Sequence, residues 1–208
     1  MKAGRILAAI TALAAWGGLA LQLGISVGSL GLGPGLWRFL GYFTVLTNIF
    51  VAKMVTAQAL GVAPHGLFGL LARPVFRLSA TASIGLVAIA YAALLRGLVP
   101  MEGWQIVADF FLHTAVPIMA ALCFIVDPPK RLPWWLIVPA AAWPIAYVVY
   151  ALIRGAAQGW YAYFFLDPTK MTVPELAASL AGLTALFAAI AAVLIAAQRV
   201  RLRFAREI

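Results

Sequence analysis

Six apolar stretches, each long enough to cross a bilayer, leave this chain few ways to fold. They fall at about residues 5–28, 37–60, 78–97, 105–126, 133–153 and 173–198 of the 208, where about 20 mostly apolar residues suffice for a spanning helix. In hydrocarbon every backbone N–H and C=O must find a partner inside the protein, which restricts spanning structures to helices and closed barrels. The runs are rich in Leu, Ala and Val and lack the strict apolar/polar alternation of barrel strands. The expected fold is therefore all-α, a single polytopic bundle of six transmembrane helices over residues 1–208. Only 10% of the residues are charged, against about 25% in soluble domains, and no internal repeat is visible. Lys2 and Arg5 precede the first run as in a signal peptide, but the run exceeds the roughly 7–15 residues of a cleaved apolar region, so it is expected to stay as the first span. The single cysteine, Cys123, excludes an internal disulfide and reads as a small apolar packer.

A net charge of +9 would suit a nucleic-acid partner, yet its placement argues for a topology signal. If the spans alternate, Lys2, Arg5, Arg73, Arg77, Lys130, Arg131, Arg199, Arg201, Arg203 and Arg206 share one side, and Arg38, Arg96, Arg154 and Lys170 the other. Excess Lys and Arg mark the cytoplasmic side, so both termini are expected there, with the basic tail meeting anionic lipid rather than nucleic acid. Lys53 is expected to snorkel from the second span. Arg38, Arg96 and Arg154 read as anchors at outer helix ends, with a substrate carboxylate at the mouth as the alternative role for one of them.

Two spans carry side chains that lipid penalises. Asp109 and His113 lie four residues apart in QIVADFFLHTAVP, and Thr44, Thr47 and Asn48 lie together in YFTVLTN. An ionisable group at membrane depth costs about 2.5 kcal/mol or more and marks a functional position by default. Residues at i and i+4 share a helix face, and counting from Trp37 and Gln105 puts both groups roughly 10 Å below the outer surface at 1.5 Å per residue. If the faces meet, a hydroxyl, an imidazole and a carboxylate converge. Such a set activates a weak nucleophile: the imidazole removes the hydroxyl proton, and the carboxylate fixes its tautomer and steadies its charge. Thr44 or Thr47 fits the first role, His113 the second and Asp109 the third, with Asn48 a candidate amide donor to an oxyanion. Pro117 removes the backbone donor that would reach the His113 carbonyl.

Other chemistries fit less well. A haem held by two histidines lacks its second ligand, because His65 falls in a connection and reads as an interfacial residue. Zinc would find His113 and Asp109 and little else, and neither a phosphate-cradling glycine loop nor a GxSxG elbow is present. No metal or cofactor is expected. The aromatic segment GWYAYFFLD, with Trp104, Trp160, Tyr161 and Tyr163 nearby or within it, suits an interfacial belt; its density of rings also suits a lid over an opening between helices. A carrier in which Asp109 and His113 relay protons is the alternative function, and a structural membrane subunit a third.

The segments Trp37-Arg38-Phe39-Leu40 with Tyr42-Phe43-Thr44, His113-Thr114 with Pro117, and Gly159-Trp160 with Tyr163, Phe165 and Leu166 resemble the androgen-induced and androgen-dependent TFPI-regulating membrane proteins. The whole chain is similar to their six-helix bacterial relatives, which share a YFTxLTN segment and the intramembrane His. The animal members are multipass threonine hydrolases that cleave fatty-acid esters of hydroxy fatty acids with one Thr and one His. The resemblance implies a bacterial inner-membrane esterase with a lipid substrate, Thr44 as nucleophile and His113 as base. Thr47, Asn48, Trp160 and Tyr163 become candidate substrate contacts. Asp109 stands before the matching His where the animal proteins have an Asn and an additional His.

Overall fold

A computed structural model describes residues 2–63, 68–129 and 132–204. His65, Lys130, Arg131 and Arg206 lie outside the described residues. Helices α1 (Lys2–Leu30), α2 (Leu32–Phe39), α3 (Phe43–Leu60), α4 (Pro74–Leu95), α5 (Trp104–Val126), α6 (Trp134–Gln158) and α7 (Val173–Phe204) build the chain, with no strand among the described residues. All but α2 are long and apolar enough to cross a membrane. The composition dictates this outcome: with few charges to solvate, the apolar runs bury one stripe in the bundle and leave Leu13, Ile118, Val138 and Val193 facing outward.

Contacts between helix ends divide the bundle into two ends. At the terminal end, the Arg5 guanidinium donates to the Ala59 carbonyl, Arg77 pairs with Asp127, and Gln198 donates to the Pro129 carbonyl. At the far end, the Trp37 indole donates to the Gln158 side chain. Small residues let the helices approach in the core. Ala8, Ala12 and Ala15 of α1 are buried, and a Cβ on Gly18 would come 2.9 Å from the Phe111 Cβ of α5. Turn chemistry then ends the helices where expected: Pro74 occupies the first turn of α4, and Gly61 and Gly159 close α3 and α6 in the left-handed region at φ of 69° and 66°.

The second apolar run is not one helix. It breaks at Leu40–Tyr42 into α2 and the spanning helix α3, a correction to the continuous span expected from residue 37. Broken backbone at membrane depth requires partners for its freed carbonyls, and α6 supplies them from one face. Arg154 Nη2 donates to the Trp37 carbonyl at 2.6 Å, the Tyr150 hydroxyl to Leu40 at 3.1 Å, and the Tyr147 hydroxyl to Gly41 at 3.0 Å. Gly41 is required by crowding, since a Cβ there would sit 2.7 Å from the Trp160 ring. Arg154 is therefore no surface anchor but a buried group that also donates to Tyr150 and Gln158 and lies over the Trp37 ring. The break places Thr44 in the first turn of α3, where N–H groups lack intrahelical acceptors.

Candidate active site

Helix α5 changes register where it meets α3. Over Phe111–Ala115 it widens into a π-turn, in which the Val116 N–H reaches back to the Phe111 carbonyl. In an α-helix that N–H would belong to Leu112. Pro117 offers no N–H of its own, so the Leu112 carbonyl is freed and accepts from Asn48 Nδ2 at 3.1 Å; the same amide donates to the Thr44 carbonyl at 2.8 Å. Asn48 is fully buried and pins the wide turn of α5 to the first turns of α3. Wide turns of this kind recur at functional sites. Replacing Asn48 by Ala strands the Leu112 carbonyl in an apolar interior, and unfolding of purified protein in a mixed-micelle denaturant series should show a loss of about 1–2 kcal/mol.

The turn carries His113 to Thr44. Asp109, His113 and Thr44 form one connected chain: His113 Nδ1 lies 2.8 Å from Asp109 Oδ1 and, better aligned with its N–H, 3.2 Å from the Asp109 carbonyl, while Nε2 faces Thr44 Oγ1 at 3.2 Å. Two oxygens beside Nδ1 keep the proton there, which leaves Nε2 as acceptor for the Thr44 hydroxyl. The His113 and Asp109 side chains remain 15% and 19% exposed, but they stand behind Thr44 and Tyr91 rather than in the wall of the cavity described below.

Two tyrosines complete the arrangement. Tyr91 begins a second π-turn, Tyr91–Leu95 at the end of α4, where the Arg96 N–H reaches the Tyr91 carbonyl. Its ring stacks on the imidazole with centroids 3.9 Å apart and planes 15° apart, and its hydroxyl donates to Asp109 Oδ2 at 2.7 Å. From the far end, the segment after α6 folds into the bundle instead of lying along an interface. Tyr163, Phe165 and Leu166 are buried, the Tyr163 hydroxyl accepts the Thr44 N–H at 3.2 Å, and the same oxygen lies 3.4 Å from Thr44 Oγ1. Ser179 of α7 holds the segment down by donating to the Phe165 carbonyl at 2.7 Å.

Thr44, Tyr91 and Tyr163 all face an apolar cavity of about 250 Å³. Its walls come from α4, α6 and α7, with Phe43 and the Tyr163–Leu166 segment at the far end. Helices α6 and α7 meet near Ile137–Ala140 and scarcely touch beyond it. Ile145 and Val149 line the cavity yet are 56% and 52% exposed, so its mouth opens on the side of the bundle. The lining carries no charged side chain.

The residues singled out in the sequence separate on this geometry. Thr44, His113 and Asp109 come together, and Tyr163 joins them. Thr47 does not: it is fully buried, and its hydroxyl accepts from the Trp143 indole at 3.1 Å. Asn48 turns its amide nitrogen to two backbone carbonyls rather than to an open site. Trp160 lies off the cavity wall, packed edge-on against Tyr42 and beneath the Arg38 guanidinium at 4.1 Å. Of the arginines read as helix-end anchors, Arg96 sets its guanidinium 5.7 Å from the Tyr91 ring centroid. Tyr91 was not anticipated; the available signal was a phenol inside the run SIGLVAIAYAALL, since a buried Tyr hydroxyl requires a partner. Among the described residues no three His, Cys, Asp or Glu side chains come close enough to hold a metal ion. No family model, curated protein or solved structure matches the chain.

Proposed function

We propose that this chain is an intramembrane threonine hydrolase of a lipid ester, such as a fatty-acid ester of a hydroxy fatty acid. The observation that carries the reading is the connected set Asp109, His113 and Thr44 ending on an apolar cavity open to the side of the bundle. Thr44 Oγ attacks the ester carbonyl while its proton passes to His113 Nε2. Asp109 steadies the imidazolium, and the proton then leaves with the alcohol. Water repeats the cycle on the acyl-threonine. The first turn of α3 adds the positive end of a helix dipole beside the carbonyl oxygen. The positive-inside distribution supports a bacterial inner-membrane protein with both termini in the cytoplasm. That topology puts the site nearer the outer face, within reach of leaflet lipids.

Purified protein treated with a long-chain alkyl fluorophosphonate should carry the phosphonate on Thr44, read by mass spectrometry of the peptide. An adduct on Thr47 would assign the nucleophile elsewhere, and neither an adduct nor ester cleavage over a broad lipid panel would remove the hydrolase reading. The broken α2–α3 segment is a feature shared with ion-coupled carriers; a carrier predicts pH-gradient-driven uptake into proteoliposomes that depends on Asp109.

A further inference from the structure

The Tyr163 hydroxyl occupies a position that a roof residue does not require. It accepts the Thr44 N–H at 3.2 Å and lies 3.4 Å from Thr44 Oγ1, whose own proton is directed to His113 Nε2. The phenolic proton is therefore free for the Thr44 oxygen or for a group bonded to it in the cavity that Tyr163 lines. Asn48, the amide donor expected for an oxyanion, is committed to backbone carbonyls. Resting on the hydrolase reading, we propose that Tyr163 is a catalytic residue that donates its hydroxyl proton in a hydrogen bond to the oxyanion, so that the segment after α6 delivers part of the active site.

The step balances without another group. As the bond from Thr44 Oγ to the carbonyl carbon forms, the π pair moves onto the carbonyl oxygen and the threonine proton moves to His113. Tyr163 holds the resulting charge without giving up its proton, and the pair returns when the alcohol departs. Burial raises the Tyr163 pKa above the ordinary phenol value, which keeps it a donor. Its ring is clamped by stacking on Phe165 at 5.1 Å and 9°, and by an edge contact with Tyr147 at 6.3 Å. Ser179 fixes the segment from below. The donor is thus preorganised, the condition under which such a hydrogen bond is worth most.

The test compares wild type, Tyr163→Phe and Thr44→Ala on a p-nitrophenyl long-chain ester in mixed micelles, together with inhibition by octylboronic acid, which forms a tetrahedral adduct on a nucleophilic hydroxyl. Tyr163→Phe keeps the ring and its stacking but removes the acceptor of the Thr44 N–H, so its melting temperature should fall by a few degrees and rates are compared per folded protein. Its kcat should fall about 10²–10³-fold with KM within about threefold, and boronate affinity should fall in parallel, as expected for a group that acts on the tetrahedral state. Near wild-type kcat and boronate affinity in Tyr163→Phe, with Thr44→Ala inactive, would overturn the role of Tyr163 and leave the hydrolase intact. A wild type inactive on esters and indifferent to boronate would overturn both.

Discussion

Thr44→Ala and His113→Ala should each lower kcat/KM for a long-chain ester by about 10⁴–10⁶-fold, and the double variant should be no worse than either alone. In the proposed mechanism the two side chains act on one proton, so removing either removes the same step. Neither substitution should unfold the protein. Thr44 keeps the backbone N–H that donates to Tyr163 and the carbonyl that accepts from Asn48, and the imidazole of His113 is partly exposed rather than sealed in the core. Thr44→Ser retains an attacking hydroxyl and should retain measurable activity. Thr47→Ala should leave kcat within about threefold, because the Thr47 hydroxyl is engaged by Trp143 and its loss costs one hydrogen bond of about 1 kcal/mol. Initial rates in one detergent, with protein quantified by its folded fraction, decide the matter. Full activity in Thr44→Ala would exclude the mechanism.

Asp109→Asn should cost about 10³–10⁴-fold in kcat, more than loss of one negative charge implies. Tyr91 donates to Oδ2 at 2.7 Å, so in the variant the amide oxygen is held by Tyr91 and the NH₂ group turns toward His113. An NH₂ beside Nδ1 favours the tautomer with its proton on Nε2, and an Nε2–H cannot accept from Thr44. The Asp109 backbone carbonyl, 3.2 Å from Nδ1, opposes this change and keeps the loss short of that for His113→Ala. Adding Tyr91→Phe frees the amide to flip, and the double variant should be faster than Asp109→Asn alone. Nitrogen NMR of labelled imidazole would report the tautomer directly. Equal rates in the single and double variants would show that Tyr91 does not govern the amide.

The six spanning segments were legible because hydropathy over about 20 residues is a local property, and all six recur as helices. The break at Leu40–Tyr42 was not, since what makes it tolerable is a ladder of Tyr147, Tyr150 and Arg154 more than 100 residues later in the chain. Those residues lie along one face of α6, a pattern that reads equally well as an aromatic belt. Asp109 and His113 could be paired from their spacing alone. Thr44 and Thr47 could not be told apart, because residues three apart share a face; only the start of α3 at Phe43 and the indole of Trp143 divide them. The π-turns carry no periodicity of their own. Pro117 behind His113 was the visible trace of the one in α5, and the carbonyl that Asn48 satisfies there is that of Leu112.

For the proposed hydrolase, the parting of α6 and α7 above Ile137–Ala140 sets the kinetic currency of the reaction. On that proposal, a mouth rimmed by the exposed Ile145 and Val149 takes its substrate from molecules dissolved among acyl chains. The variable that governs occupancy is then the substrate's mole fraction in the surrounding leaflet, not its molarity in water. Inert lipid competes by dilution alone. A poorly soluble ester is no handicap to such a protein, because its aqueous concentration never enters the rate, and acyl chain length acts through residence in the leaflet as well as through fit.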